Sequence, residues 1–141
     1  MGNNNYKEIT IFLIEDDDVD AIGIERSMRK MNLLNPIERA KDGVEALEML
    51  RLGAVKKPFV ILLDLNMPRM GGLEMLEHLR EDDTISDAVV FVLTTSRNDE
   101  EITRAYKKNI AGYIVKSSLS QDFNKLLSFL NTYWVLVELP R

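Results

Sequence analysis

Val60–Gly72 reads VILLDLNMPRMGG, and the order of residue types in this stretch decides the fold. Val60, Ile61, Leu62 and Leu63 form an apolar run with no polar alternation, the pattern of a strand buried on both faces of a parallel sheet. Asp64 ends the run. A carboxylate at the end of such a strand opens onto the crevice at the carboxyl edge of the sheet, where open α/β folds hold their ligands. Met67-Pro68 then keeps the backbone out of helix and Gly71-Gly72 frees it, immediately before the helical spacing of Leu73, Leu76 and Leu79. Taken alone, Asp64 also reads as an ordinary turn former or cap, so the other strand ends have to decide between the two.

Working outward, the same unit recurs. Ile9–Ile14 is a buried strand that empties into Glu15, Asp16, Asp17, Asp18 and Asp20. Asp17 or Asp18 caps the next helix, whose inward face is Ala21, Ile24, Met28 and Met31. Capping uses one carboxylate, so the surplus of acids calls for a cation. Ile37–Ala40 is a short strand whose Glu38 and Arg39 suit an edge, and Asp42-Gly43 turns into a helix with Val44, Leu47 and Leu50 inward and Gly53 as its stop. Beyond the central unit, Asp82–Asp87 is a polar connection to a fourth strand, Ala88–Leu93, which ends in Thr94. Asn98 and Glu101 have capping-box spacing for a helix striped with Ile102, Ala105 and Tyr106. A last short strand, Tyr113–Val115, ends in Lys116, and Ser118 or Ser120 caps the final helix. Five β-then-α units in series predict a parallel sheet with helices on both faces, and right-handed crossovers place every strand's carboxyl end on one edge.

Composition narrows the functions available. The 141 residues suit one domain over 9–141 after an extended or disordered 1–8. A net charge of −5 with no basic stripe disfavours nucleic-acid binding. Absence of cysteine removes disulfides and thiolate sites. Apolar runs fall far short of a membrane span and the N-terminus has no signal core, which predicts a cytoplasmic protein. No output domain is expected after Trp134, so the signal should leave through a downstream protein partner.

The strand ends bring Glu15, Asp16, Asp64, Thr94 and Lys116 to one edge. Carboxylate oxygens suit a hard cation such as Mg²⁺, and a hydroxyl and an ammonium opposite suit an incoming anion. These are the parts for phosphoryl transfer to a carboxylate. Asp64 is then the nucleophile and a metal ligand, and Asp16 a second ligand. Glu15 stands beside them in contact with the metal or its waters, and the Asn66 backbone carbonyl completes the oxygens. Thr94 and Lys116 bind the phosphoryl group. An aspartate-dependent phosphohydrolase would need a general acid where Asn66 stands. An FMN carrier would need a phosphate loop where the chain is strongly acidic, and no glycine-rich nucleotide motif occurs.

With those residues in view, the chain resembles the receiver domains of two-component response regulators from Ile9 to about Tyr133. The likeness is carried by Glu15-Asp16, by Asp42-Gly43-Val44-Glu45-Ala46-Leu47, by Leu63-Asp64-Leu65-Asn66-Met67-Pro68 with Gly71-Gly72, by Leu93-Thr94-Thr95, and by Gly112-Tyr113-Ile114-Val115-Lys116. The resemblance implies a flavodoxin-like sheet of order 2-1-3-4-5. It further implies that Asp64 accepts a phosphoryl group from a sensor histidine kinase with Mg²⁺ present, and that Thr94 and Tyr113 act as the switch. Activity is then confined to the chain's own phosphorylation and dephosphorylation. Two residues depart from the family pattern: Ser117 replaces the usual proline, leaving open whether the Lys116–Ser117 bond is cis or trans, and Glu15 replaces a common aspartate. A receiver-like interaction module that is never phosphorylated is the alternative.

His78 and the acids Glu81, Asp82 and Asp83 read as surface residues. The final helix carries Phe123, Leu126, Leu127, Leu130 and Trp134 on one face and Phe129, Tyr133 and Leu136 on a second. The second face predicts a homodimer or a docked partner. The tail resembles the small single-domain regulators that serve cyanobacterial phytochrome-type kinases.

Overall fold

The computed structural model describes residues 8–95, 97–116 and 123–141. Its elements alternate strictly: β1 (Thr10–Ile14), α1 (Asp18–Lys30), β2 (Ile37–Ala40), α2 (Gly43–Arg51), β3 (Phe59–Leu63), α3 (Gly72–Glu81), β4 (Val89–Thr94), α4 (Asp99–Lys107), β5 (Gly112–Val115) and α5 (Asn124–Leu136). The strands form one parallel sheet of order β2-β1-β3-β4-β5, as the resemblance implies.

The unbroken apolar runs are explained by two cores, one on each face of the sheet. Phe12, Ile14, Ile61, Leu63, Val90 and Val92 point to the face covered by Leu47 of α2, Met75 and Leu76 of α3 and Ala105 of α4. Ile11, Leu13, Val60, Leu62, Phe91 and Leu93 alternate with them and meet Ile24 and Met28 of α1 and Leu127, Leu130 and Trp134 of α5. Between two apolar layers the middle of each central strand is apolar on both sides, and the buried polar residues of these strands, Thr10 and Thr94, stand at strand ends. Truncating one of these large buried side chains, such as Phe91 at 2% exposure, to alanine costs about 3–5 kcal/mol.

Helix starts follow the capping residues. Asp17 caps α1 by accepting from the Val19 and Asp20 backbone N–H groups, Asp42 caps α2 through Glu45 N, and Asn98 caps α4 through Glu101 N. Gly53, at φ +70°, follows the end of α2 as expected. The expected cap of α5 at Ser118 or Ser120 lies outside the described residues. In two helices the inward face is rotated from the expected one. Ala46 joins Leu47 and Leu50 in α2 while Val44 is only half-buried, and Met75 joins Leu76 and Leu79 in α3 while Leu73 is only half-buried. The sheet takes the side of each helix where the side chain is small or flexible enough to approach closely.

The second apolar face of α5 is partly used within the chain. Phe129 and Tyr133 stand edge-on to the Phe91 ring at centroid distances of 5.7 and 5.2 Å. Their aromatic character therefore has an internal cause that a helix periodicity argument does not show. Val135 and Leu136 remain outside this cluster, with Leu136 77% exposed.

Candidate metal and phosphoacceptor site

The topology reverses between β1 and β3, the place where doubly wound sheets open a crevice. Ile14 pairs with Leu63 and Leu63 with Val92, so the residues following β1 and β3 emerge side by side. The Asp64 N–H donates to the Ile14 carbonyl at 3.0 Å and the Glu15 N–H to the Ala40 carbonyl at 3.0 Å, which fastens both acids to neighbouring strands. Carboxylate oxygens of Glu15, Asp16 and Asp64 lie within 4.8 Å of one another. Glu15 and Asp64 are buried and Asp16 is exposed.

Three carboxylates this close repel each other unless cations intervene. Lys116 supplies one, with Nζ 2.7 Å from Glu15 Oε1 and 2.6 Å from Asp20 Oδ2. The acids Glu15, Asp16, Asp20 and Asp64 outnumber the one ammonium, and the all-oxygen donor set of Glu15, Asp16 and Asp64 suits a hard cation. Burial pushes the Glu15 carboxyl up to about 7, against the Lys116 ammonium and with the help of Asp64. Burial works to lower Lys116, but Asp20, Glu15 and Asp64 outweigh it and hold the amine above its ordinary value. Lys116 therefore stays charged at the site.

Thr94 closes the opposite side. It is the fully buried last residue of β4, and its Oγ1 accepts from Asn66 Nδ2 at 3.5 Å, while the Asn66 N–H faces Asp64 Oδ1 at 3.4 Å. The loop after Asp64 is shaped by close approach. A Cβ on Gly72 would lie 2.6 Å from the Asp64 carbonyl oxygen and 2.8 Å from Leu65 Cα, so only glycine fits there. Arg69 sits in the left-handed region at φ +62° with its Nε 2.8 Å from Asp42 Oδ2, so an ion pair to the α2 cap holds a conformation that usually calls for glycine.

The acid surplus after β1 is met largely by the chain itself, which corrects the simplest reading of it. Asp17 is spent on the α1 cap, Asp18 pairs with Arg39 at 2.8 Å, and Asp20 pairs with Lys116. The cation signal thus narrows to Glu15, Asp16 and Asp64. The roles of Asp20 and Arg39 were not visible in the sequence, because each pairing crosses between elements distant in the chain. The Lys116–Ser117 bond lies outside the described residues; the cis bond recorded among them is Lys57–Pro58. Tyr113 is half-buried and, with Ile102, Tyr106 and Val115, lines a groove of about 380 Å³ between α4 and β5. His78 stands on the surface 3.8 Å from Glu74, as expected.

Comparison with known proteins places this geometry in a family. The response regulator receiver domain model matches residues 11–128, and the chain belongs to that family. It is 32% identical over 128 residues, 89% of this chain and 83% of the other, to the "Probable methanogenesis regulatory protein FilR2" of Methanothrix harundinacea. Response regulator Rcp1 of Synechocystis is 27% identical over 99% of both chains; the crystal structure of its Mn²⁺-bound form superposes with a TM-score of 0.82 over 94% of this chain and 99% of that one. The phosphorylated cyanobacterial phytochrome response regulator RcpA superposes with a TM-score of 0.84 at 30% identity, over 96% of this chain and 100% of that one. Among the described residues no helix is long and apolar enough to cross a membrane.

Proposed function

We propose that this receiver domain is a phosphoacceptor: Asp64 takes a phosphoryl group from a histidine of a sensor kinase, and the change is relayed to a protein partner in the cytoplasm. The observation that carries this reading is the convergence of Glu15, Asp16 and Asp64 within 4.8 Å, flanked by buried Thr94 and a charged Lys116. An Asp64 carboxylate oxygen attacks phosphorus; the O–P bond forms as the P–N bond breaks, and the electron pair returns to the imidazole. Asp16, Asp64 and the Asn66 carbonyl, with Glu15 beside them, would hold Mg²⁺, which neutralises charge on the transferring oxygens. Thr94 exchanges its contact with Asn66 for a phosphoryl oxygen, and Lys116 offers its remaining N–H to another. Phosphorylation favours whichever arrangement makes more of these contacts, and Tyr113 shifts in the α4–β5 groove as Thr94 moves. The chain's activity is then limited to its own phosphorylation and dephosphorylation.

Similarity to RcpA and Rcp1 supports a kinase of phytochrome type. Exposed Val135, Leu136 and Tyr106 support a homodimer or partner contact through α5 and the α4 region. The deciding test is exposure to acetyl phosphate with and without Mg²⁺. Metal-dependent gain of one phosphoryl group supports the reading, whereas a chain that stays unlabelled with donor and metal present is the unphosphorylated interaction module instead.

A further inference from the structure

Arg39 stands on edge strand β2, outside the strand ends that build the site, yet its guanidinium reaches into the β1–α1 turn. Nε and Nη2 both donate to the Glu15 carbonyl, at 3.0 and 2.8 Å, and Nη1 meets Asp18 Oδ1 at 2.8 Å. These acceptors straddle Asp16. Since the Glu15 N–H is already bound to the Ala40 carbonyl, both peptide groups of Glu15 are fastened to β2, and the start of α1 is tied to the same strand through Asp18. Asp16 itself accepts no hydrogen bond among the described residues, and its carboxylate lies within 4.8 Å of those of Glu15 and Asp64.

An ion pair to Asp18, whose side chain is 65% exposed, adds little by itself. The forked contact to a backbone carbonyl is different, because it sets the path of the chain entering Asp16. It also uses the planar donor geometry that lysine lacks. Pairing with Asp18 draws that carboxylate toward β2, and among the described residues Asp16 is left as the acid of the turn with no hydrogen-bond or ion-pair partner.

We propose that Arg39 is a positioning residue for the divalent-cation site, clamping the Glu15 carbonyl and the Asp18 carboxylate so that the turn presents Asp16 beside Asp64; this rests on the metal-site reading above. The proposal has a sign that charge alone does not give. A guanidinium close to a cation site repels the cation, so simple electrostatics makes Arg39 a hindrance and its removal a gain in affinity. A positioning role makes removal a loss.

Mn²⁺ binding to the full chain, followed by the electron paramagnetic resonance signal of free Mn²⁺, separates these for wild type, Arg39→Lys, Arg39→Ala and Asp16→Ala. Metal-free thermal unfolding reports whether each variant folds. Arg39→Lys keeps the charge and is the milder change. The expected result is roughly tenfold weaker binding in both Arg39 variants, the scale on which outer partners of metal ligands act, with the metal-free unfolding midpoint of Arg39→Lys little changed. Arg39→Ala or Arg39→Lys binding Mn²⁺ as tightly as wild type, or more tightly, overturns the proposal while leaving the site intact. If wild type binds no better than Asp16→Ala, the metal-site reading itself fails and the role of Arg39 falls with it.

Discussion

Lys116 Nζ lies 2.6 Å from Asp20 Oδ2, joining the residue after β5 to the first turn of α1. With Glu15 Oε1 at 2.7 Å, two of the three ammonium N–H donors are already engaged. A phosphoryl group on Asp64 takes the third donor and shares this cation with Asp20. Asp20→Asn weakens the resting pair and removes a charge that repels the incoming dianion. We expect a several-fold higher phosphorylated fraction at fixed acetyl phosphate and Mg²⁺, measured by intact mass. A lower fraction would show that Asp20 serves phosphorylation rather than opposing it.

Asp42 carries two loads, the α2 cap through Glu45 N at 2.9 Å and the Arg69 pair at 2.8 Å. Asp42→Ala should destabilise by about 1 kcal/mol through the cap alone, lowering the thermal midpoint by about 3–5 °C. Burial works to raise the Asp42 carboxyl, but the Glu45 N–H and Arg69 outweigh it and hold it below its ordinary 3.8. A depressed acid stabilises the fold above its unfolded value and loses that contribution as pH falls through its folded value. The difference between wild type and Asp42→Ala should therefore narrow below pH 3.8; a gap that is flat or widens into acid contradicts the assignment.

Arg80 donates to four carbonyls, those of Ser86, Ala88, Lys108 and Asn109, at 2.7–3.0 Å. It thereby holds the loop before β4 and the loop before β5 together at the far end of the sheet from the site. Arg80→Met keeps the apolar stem and removes the donors, leaving polar acceptors without their partner. A loss of about 2 kcal/mol is expected, read by chemical denaturation, with labelling of Asp64 unchanged because the site is at the opposite edge. Unaltered stability would mean that water replaces the guanidinium at no cost.

Val135 and Leu136 project from the last turn of α5, while Phe129 and Tyr133 are engaged with Phe91. Leu136→Glu tests association without disturbing that aromatic cluster. Sedimentation velocity should show a dimeric wild type and a variant shifted to monomer; a monomeric wild type rejects the homodimer.

How far the sequence could be read depended on the range of each interaction. The parallel sheet and the edge carrying Asp64, Thr94 and Lys116 were legible because buried parallel strands announce themselves in unbroken apolar runs and right-handed crossovers put their carboxyl ends on one side, whereas the strand order was implied by the resemblance to receiver domains. Caps at Asp17, Asp42 and Asn98 were legible because they are local. Pairings between distant elements were not. Nothing near Arg39 or Arg80 in the chain signals the carbonyls each binds, and Arg69 at φ +62° is held by Asp42, 27 positions away. The acids after β1 were legible as a cluster, but which of them remains unpaired was decided by Arg39 and Lys116.

The account turns on Asp64 as the phosphoacceptor, and intact mass spectrometry of wild type beside Asp64→Asn, each with acetyl phosphate and Mg²⁺, tests that most directly. Wild type should gain a single base-labile phosphoryl group and Asp64→Asn none, because the amide is a far poorer nucleophile than the carboxylate held beside Glu15 and Asp16. Equal labelling of the two chains would contradict it.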